Sequence, residues 1–207
     1  MTPPRAGHAA GWDLAYTAEA PAPWDIGRPQ PAFAGLASAG FLSGQLLDAG
    51  CGTGEHSLLA AASGADVVGV DLSEVAIARA RAKAAERGLT VRFEVASALE
   101  LARLGVTGAG FDVIIDSGLF HVFDDPDRPR YAASLASVLR PGGTLYLMCF
   151  SDRQPGDFGP RRVSEPELRA AFADGWAVVS IAADKFELNP GLPIPDAQAW
   201  LATIRRQ

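Results

Sequence analysis

Residues 46–55 read LLDAGCGTGE, a short apolar run followed by three alternating glycines and the start of a helical segment. The glycines are Gly50, Gly52 and Gly54. Glycines between a strand and a helix permit a tight turn with positive φ, and they let a ligand approach the backbone without interference from a Cβ atom. The helix that begins at Glu55 would direct free N–H groups and a partial positive charge at an anionic ligand group. The stretch therefore predicts a ligand-binding turn between a buried strand and a helix.

Outward from this turn the chain alternates short apolar runs with helical segments, the pattern of a parallel sheet covered by helices on both faces. Strands are predicted at residues 46–49, 67–70, 91–95, 111–116, 144–150, 177–182 and 199–204. Helices are predicted at residues 31–39, 55–62, 128–139 and 165–172, and between a capping Ser73 and Gly88. We expect an α/β fold with a Rossmann-like, seven-stranded, mostly parallel sheet whose final strand is antiparallel and near the edge. The ligand site is expected at the carboxyl ends of the strands.

The composition is that of an ordinary globular enzyme. With 207 residues, 48% of them hydrophobic, a single domain over residues 1–207 is expected, and residues 1–31 read as an irregular arm because they show no sustained period. A net charge of −6 disfavours nucleic acid as a partner, since that binding depends on Lys and Arg. No apolar run approaches the ~20 residues that span a bilayer, so no membrane partner is expected. Cys51 and Cys149 are expected to be reduced thiols, which indicates a cytoplasmic protein. The protein is expected to be a monomer or a homodimer.

Asp71 follows the second predicted strand, 21 positions after Gly50 and 17 after Gly54. This is close to the ~20-residue spacing at which an acidic side chain reaches the ribose hydroxyls of a bound nucleoside. A carboxylate there can accept hydrogen bonds from both hydroxyls at once. Asp71 is therefore predicted to bind the sugar of a nucleoside ligand, and the adjacent Leu72 is expected at the same cofactor site.

The spacing of the glycines distinguishes between nucleoside cofactors. A dinucleotide fingerprint needs a third glycine where this chain has Glu55, and a carboxylate there would repel a pyrophosphate. S-Adenosylmethionine has no phosphate: its carboxylate can meet the N–H groups of the loop while its ammonium finds an acidic neighbour, for which Asp48 is the nearest candidate. Asp48 could instead orient the loop by hydrogen bonding to backbone, and both interpretations stay open.

Four segments together resemble the class I S-adenosylmethionine-dependent methyltransferases in order and spacing. They are LLDAGCGTGEHSLLA at residues 46–60, VVGVDLS at 67–73, FDVIIDSGLFHVF at 111–123 and LRPGGTLYLMCFSD at 139–152. The joint match is far more specific than a glycine motif alone. The arm segment PWDIGRPQP, residues 23–31, further resembles the thiopurine, thiol and halide methyltransferase branch and related bacterial methyltransferases of small heterocycles.

The resemblance implies that the arm, residues 1–31, folds as a lid over the cofactor and acceptor, with Trp24 against the sulfonium end, where an aromatic face is favourable. It also implies that the exit of the fourth strand, from Asp116 to His121, borders the methyl group. Where many relatives have an acidic residue near the adenine, this chain has Ser97-Ala98-Leu99, so backbone groups and Ser97 are expected there. The residues expected to bind the cofactor are Trp24, Asp48, Gly50, Cys51, Gly52, Gly54, Asp71, Leu72, Ser97, Ala98 and Asp116.

Three side chains are candidates for the chemistry itself: His121, Asp116 and Tyr16. His121 suits a general base because an unperturbed imidazole pKa near ~6.5 allows proton removal at neutral pH, although it can equally pack and hydrogen bond to backbone. Aromatic residues that line an acceptor pocket or belong to the core are Trp12, Tyr16, Trp24, Phe120, Phe123 and Phe158. Of these, Tyr16, Phe120 and Phe158 are predicted to contact the acceptor, together with Arg162.

The predicted function is methyl transfer from S-adenosylmethionine, with S-adenosylhomocysteine as product, to a small molecule. The acceptor is expected to be a thiol, a phenol or hydroquinone, or a heterocyclic oxygen, nitrogen or sulfur atom, and no metal site is expected. Such nucleophiles need little help from a base, because the methyl group is already activated on a positively charged sulfur. Two alternatives stay open: an NAD-type oxidoreductase, which Glu55 disfavours, and a protein that binds S-adenosylmethionine without catalysis.

Overall fold

A computed structural model of the chain describes residues 9–19, 21–105, 108–157, 159–190 and 196–207, and within them seven strands form one sheet. The strands are β1 (Gln45–Ala49), β2 (Asp66–Asp71), β3 (Arg92–Val95), β4 (Phe111–Ser117), β5 (Leu139–Phe150), β6 (Trp176–Glu187) and β7 (Asp196–Arg206). The helices are α1 (Ala9–Thr17), α2 (Pro31–Ser38), α3 (Glu55–Ala62), α4 (Glu74–Glu86), α5 (Asp127–Val138) and α6 (Glu165–Ala171). Short 3-10 helices follow β3 and β4, at Ala98–Leu104 and Phe120–Val122.

The strand order is β3-β2-β1-β4-β5-β7-β6. The pairs from β3 through β5 are parallel, and β7 is antiparallel to both of its neighbours, β5 and β6. The predicted seven-stranded, mostly parallel sheet with an antiparallel last strand near the edge is confirmed. Because β1 pairs with both β2 and β4, the strand order reverses at β1, and a crevice opens there at the carboxyl ends of the strands.

Apolar side chains on both faces of the sheet explain why the helices cover it on two sides. Successive strand residues point to opposite faces. Leu46 and Leu47 of β1 are both fully buried, and they belong to different clusters: Leu46 to one with Phe33 of α2, and Leu47 to one with Leu135 of α5. Burying each such side chain stabilises the fold by about 1.5–3 kcal/mol.

The start of α4 shows how local sequence sets an element that borders the crevice. The hydroxyl of Ser73 accepts a hydrogen bond from the Ala76 amide at 3.1 Å, which caps the first turn. At the other end, Gly88 adopts a left-handed φ of 63°. The predicted bounds of this helix are confirmed, and Asp71 is thereby held at the end of β2, directly before the cap.

Several predicted bounds were wrong. The arm contains α1, and the two 3-10 helices were not foreseen. Strand β5 begins at Leu139, directly after α5, and residues 141–143 lie inside it: Leu139 pairs with Phe111, and the register then shifts so that Thr144 pairs with Val113. Strands β6 and β7 run longer than predicted because they pair along almost their whole length. Within the described ranges, no helix has both the length and the apolar character needed to cross a membrane.

Candidate active site

The turn between β1 and α3 is tied to the neighbouring strand by its own backbone. Gly50, Gly52 and Gly54 have φ values of 75°, 52° and 89°, which residues that carry a side chain rarely adopt. The amides of Gly50 and Cys51 both donate to the carbonyl oxygen of Val70, each at 2.9 Å. The predicted tight turn is therefore present, and it lies against the end of β2.

The space beside two of these glycines is filled by protein rather than kept for a ligand. A Cβ atom on Gly54 would lie 2.9 Å from the Cβ of Ala80 and from the ring of Phe93. A Cβ atom on Gly52 would lie 2.8 Å from the hydroxyl of Tyr16, which belongs to the arm. The expectation that the missing side chains admit the ligand is thus corrected, because at both positions they admit packing within the chain.

Most amides of the turn already have partners inside the protein. Besides the two amides on Val70, that of Gly52 donates to the Asp71 carboxylate and that of Gly54 donates to the Cys51 carbonyl, both at 2.9 Å. These four amides are engaged within the chain, which does not favour the expectation that they meet the amino-acid end of the cofactor. In the described part of the chain, the amide of Thr53 has no hydrogen-bond partner and remains for a ligand.

Asp71 lines the crevice in a fixed orientation. One carboxylate oxygen accepts from the Gly52 amide and the other from the Ser73 amide, both at 2.9 Å. Burial raises the pKa of Asp71, and the two amide bonds oppose that shift. A carboxylate oxygen can accept more than one hydrogen bond, so each retains capacity for a ligand hydroxyl.

Asp48 lies behind the crevice and does not line it. Its side chain is 1% exposed and accepts a hydrogen bond from the Ser57 hydroxyl at 2.6 Å, which ties β1 to the first turn of α3. Burial raises its pKa to about 7, against the opposing effect of the Ser57 bond. The bond joins Asp48 to α3 rather than to the backbone of the loop, so the geometry supports a structural role for Asp48 and gives no support to direct contact with a cofactor ammonium.

Asp116 is also placed outside the wall of the crevice, although it was predicted both as a catalytic and as a cofactor-binding residue. Its carboxylate is fully buried and accepts from the amides of Leu119 and Phe120 at 2.7 and 3.0 Å and from the Tyr131 hydroxyl at 2.9 Å. Burial raises its pKa to about 7, and these hydrogen bonds oppose the shift. The side chain therefore holds the 3-10 helix that carries His121.

His121 lines the crevice as a neutral imidazole. Its Nδ1 accepts a hydrogen bond from the Phe150 amide at 3.1 Å. Burial, aided by the nearby charges of Arg128 and Arg162, lowers its pKa to about 3. At neutral pH the ring therefore has little tendency to take up a proton, and the geometry disfavours the general-base role considered from the sequence.

The arm supplies an aromatic wall opposite the turn. Trp24 packs edge-on against Trp12 at 5.9 Å between ring centroids, and its indole N–H donates to the Tyr16 hydroxyl at 3.1 Å. Burial, followed by the charge of Asp71, raises the pKa of Tyr16 well above its usual value. Tyr16 thus lines the crevice as a neutral phenol, which cannot serve as a base near neutral pH.

Hydrogen bonds fasten the arm to the far end of β6. The side chain of Asn189 donates to the carbonyls of Ala22 and Asp25 at 2.6 and 2.9 Å. Gln30 and Glu187 exchange two bonds, Nε2 to the Glu187 carbonyl at 3.0 Å and the Glu187 amide to Oε1 at 2.9 Å. The arm therefore bridges the end of β6 and the turn, where Asp25 accepts from the Thr53 hydroxyl at 2.7 Å.

Glu55 is neutralised by cations from α4 and the residue after it. Lys83 contacts one oxygen at 2.8 Å, and Arg87 makes a two-pronged contact at 2.9 and 3.0 Å. Burial opposes ionisation, but the bonds from Arg87 and Lys83 prevail and lower the pKa of Glu55. The argument that Glu55 repels a pyrophosphate is therefore corrected, because its charge is compensated.

Two of the predicted acceptor residues lie outside the crevice. Phe120 is fully buried in the core, where the Arg128 guanidinium lies 4.9 Å from its ring centroid. Arg162 donates to the carbonyls of Pro160 and Gly156 at 2.7 and 3.1 Å and lies over the Phe150 ring at 5.5 Å. Phe158 lies outside the described residues.

The crevice brings together most of the predicted cofactor residues with others that the sequence did not reveal. Predicted residues in its wall are Tyr16, Trp24, Gly50, Cys51, Gly52, Gly54, Asp71, Leu72, Ser97, Ala98 and His121. Trp12 and Phe123 also line it, while unforeseen members are Asp25, Thr53, His56, Phe150, Phe186 and Leu188. Phe150 and Phe186 come from the ends of β5 and β6, and Leu188 directly follows β6. Only the pairing of both strands with β7 brings these residues here. Among the described residues no cluster of His, Cys, Asp and Glu is placed to hold a metal ion.

Comparisons with known proteins identify methyltransferases among the relatives of this chain. A family described as a methyltransferase domain matches residues 46–143. A 2-heptyl-1-hydroxyquinolin-4(1H)-one methyltransferase of Mycobacteroides abscessus is 38% identical over 187 residues, which cover 86% of this chain and 81% of the relative. A probable thiol methyltransferase of Arabidopsis thaliana is 30% identical over 194 residues, covering 93% of this chain and 84% of that protein.

A solved structure from work on the conversion of a disulfide bond into a thioacetal group during echinomycin biosynthesis superposes with a TM-score of 0.85. It is 38% identical and covers 97% of this chain, which in turn covers 93% of that structure. Relatives named as methyltransferases match most of the chain, and the crevice lies where the strand order reverses, with a carboxylate at the end of β2. These findings lead to one assignment. The chain belongs to the class I S-adenosylmethionine-dependent methyltransferases.

Proposed function

We propose that this methyltransferase acts on small, planar, apolar acceptors whose nucleophilic atom is deprotonated before it reacts: thiols, phenols, hydroquinones or hydroxylated heterocycles. The observation that carries the proposal is the chemistry of the crevice wall. His121 and Tyr16, the two of the three catalytic candidates that line the crevice, are both neutral and poor proton acceptors near pH 7. An acceptor that ionises by itself needs no such group, and alignment and water exclusion then account for the catalysis.

The crevice offers a distinct place for each part of the cofactor. Asp71 would accept from the ribose hydroxyls, and the free amide of Thr53 would donate to the carboxylate of the amino-acid end. The adenine would lie beside Ser97 and Ala98, which line the same wall. When bound, the cofactor supplies a methyl group already activated by the sulfonium charge.

The arm serves in this proposal as a lid on the site. Residues of the arm that the structure describes line the crevice, and Trp24 presents an indole ring where a sulfonium would benefit from an aromatic face. The bonds of Asn189 to the arm, and those of Gln30 in the arm to Glu187, would hold it closed against the end of β6 and exclude water. Residues 1–207 then act as one domain with the lid, residues 1–31, as part of it.

The far end of the crevice supports an aromatic acceptor. The rings of Phe150 and Phe186 stack at 5.9 Å between centroids with 27° between their planes, and Leu119 and Leu188 add aliphatic surface. The relatives above are named for a hydroxyquinolinone and, as a probable enzyme, for a thiol as acceptor. The net charge of −6 further favours a small molecule over nucleic acid, and we propose a cytoplasmic monomer or homodimer.

Labelled methyl transfer onto a graded series of acceptors tests the proposal. Substituted phenols and thiophenols that share one shape but differ in pKa are compared at a fixed pH of about 7. We expect kcat/KM to rise with the ionised fraction of the acceptor, while aliphatic alcohols, which stay protonated, are not methylated. Equal turnover of ionised and protonated acceptors would contradict the proposal, and S-adenosylhomocysteine binding without any turnover would indicate a binding protein.

A further inference from the structure

His121 stands at the acceptor end of the crevice among apolar side chains. Its ring packs edge-on against Phe150 at 5.3 Å and Phe186 at 6.1 Å between centroids. The two phenylalanines come from the ends of β5 and β6, so the imidazole is held from two strands. A polar ring fixed in this way has a defined hydrogen-bonding direction.

The contact with backbone decides which nitrogen carries the proton. Because Nδ1 accepts from the Phe150 amide at 3.1 Å, Nδ1 itself is unprotonated. A neutral imidazole has one N–H, so the hydrogen is on Nε2. His121 is therefore a donor at Nε2 and an acceptor at Nδ1.

The donor side of the ring lines the crevice and is not fully enclosed. Nε2 has no hydrogen-bond partner in the part of the chain that the structure describes, and it is not among the enclosed polar atoms without partners. Gly118 lines the crevice beside it: a Cβ atom there would lie 3.3 Å from Cε1 and 3.8 Å from Nε2 of the imidazole. A glycine at this position keeps that edge of the ring accessible.

From this geometry we infer that His121 is a specificity-determining residue whose Nε2–H donates to an oxygen of the acceptor other than the methylated atom. A hydrogen bond donated to the nucleophilic atom itself would engage the electron pair that attacks the methyl carbon. The productive partner of the Nε2–H group is therefore a second oxygen of the acceptor. The inference rests on the proposed function and narrows it. The acceptor class becomes planar aromatic molecules that carry a carbonyl or oxyanion oxygen besides the nucleophile.

Two substitutions separate the donor from the structural contact. In His121→Gln the side-chain NH2 reaches approximately the position of Nε2, so the donor is kept and the bond to the Phe150 amide is lost. In His121→Asn the side-chain oxygen lies near the position of Nδ1, so that bond is kept and the donor is lost. A specificity role therefore predicts the larger loss of activity in His121→Asn. A merely structural role predicts the larger loss in His121→Gln.

Each variant is assayed with a matched pair of acceptors, a hydroxyquinolone and the corresponding hydroxyquinoline that lacks the ring carbonyl. The intrinsic reactivity of each compound cancels, since the same compound is compared across enzymes. We expect His121→Asn to lose about tenfold or more in kcat/KM on the hydroxyquinolone and less than about threefold on the hydroxyquinoline, because an unpaired buried polar group is costly. His121→Gln should retain the preference of the unmodified enzyme for the hydroxyquinolone.

Equal losses on both compounds, or a larger loss in His121→Gln than in His121→Asn, would overturn the inference and assign His121 a structural role. Melting temperature and affinity for S-adenosylhomocysteine, measured on both variants, identify a variant that is merely misfolded. If the unmodified enzyme methylates neither compound nor any of the graded phenols and thiophenols, the proposed function fails instead. If the simpler acceptors are methylated but the His121 substitutions do not discriminate between the matched compounds, the proposed function stands and the inference fails.

Discussion

Removal of the Asp71 carboxylate is the perturbation that probes the cofactor site most sharply. The substitution Asp71→Asn keeps the shape of the side chain, but its amide nitrogen cannot accept hydrogen bonds. In the structure the two carboxylate oxygens accept from Gly52 and Ser73 at 2.9 Å, and each has capacity for a ribose hydroxyl. The variant therefore loses at least one charged acceptor toward the ligand.

The size of the effect follows from the charge of that acceptor. A hydrogen bond to a charged group contributes about 1.5–3 kcal/mol, which corresponds to roughly a 10- to 150-fold change in affinity. We expect calorimetric titration with S-adenosylhomocysteine to show at least a tenfold weaker complex for Asp71→Asn. Asp66→Asn is the matched control, because Asp66 lies at the opposite end of β2 and its exposed carboxylate accepts only from the Gln45 side chain, at 2.8 Å, among described residues.

A folded Asp71→Asn protein that binds S-adenosylhomocysteine within twofold of the unmodified protein would refute the reasoning and remove Asp71 from the site. Because the substitution also disturbs one bond to the turn, at Gly52, and one to Ser73 before α4, circular dichroism and the melting temperature of the ligand-free protein are recorded alongside. Asp71→Glu, which retains the charge, should bind more tightly than Asp71→Asn if the charge matters.

Three further outcomes are expected. Asn189→Ala removes two hydrogen bonds to the arm, so the backbone amides of Ala22, Trp24 and Asp25 should exchange faster with deuterium, and affinity for S-adenosylhomocysteine should fall several-fold; unchanged exchange would mean that the arm is held elsewhere. Gly52→Ala forces a left-handed φ of 52° on alanine and places a Cβ atom 2.8 Å from the Tyr16 hydroxyl, so urea unfolding should show a loss of about 1–2 kcal/mol or more. Asp48 has a pKa of about 7 in the folded state, above the unfolded value near 3.8, so its ionisation costs stability as pH rises through 7. Asp48→Asn should therefore gain stability relative to the unmodified protein between pH 5 and 8, by roughly 2 kcal/mol, and a constant difference would contradict the raised pKa.

The sequence was sufficient for the features that depend on local pattern. The run from β1 through the turn to α3, and the position of Asp71 at the end of β2, follow from apolar periodicity and from glycine placement. The capped helix α4 likewise depends on residues within the segment itself. These elements were predicted because their determinants lie within a few residues of one another.

The direction of acidic side chains at strand ends could not be predicted from the same pattern. Asp48 and Asp116 both lie near the carboxyl ends of parallel strands, as site residues do. Each carboxylate is nevertheless buried and accepts a hydrogen bond from a hydroxyl inside the protein. Those donors, Ser57 and Tyr131, face the carboxylates only once α3 and α5 have packed on the sheet. Spacing along the chain therefore placed these two carboxylates at the correct edge of the sheet. It could not show that they are buried instead of lining the crevice.

The residues at the acceptor end of the crevice could not be predicted from the sequence for another reason. Phe150 and Phe186 belong to β5 and β6, and the antiparallel β7 between them brings the two strand ends to the crevice. The arm is likewise held by Asn189, more than 160 positions away from the residues that it contacts. Such long-range pairings leave no periodic signal in the sequence.

A crystal structure of the protein with S-adenosylhomocysteine tests the central claim most directly. The ribose hydroxyls are predicted to lie about 2.5–3.0 Å from the Asp71 carboxylate oxygens, with the sulfur beneath Trp24 and the amino-acid carboxylate at the Thr53 amide. A ribose bound away from Asp71, or the same crevice occupied preferentially by a phosphate-bearing dinucleotide, would contradict it.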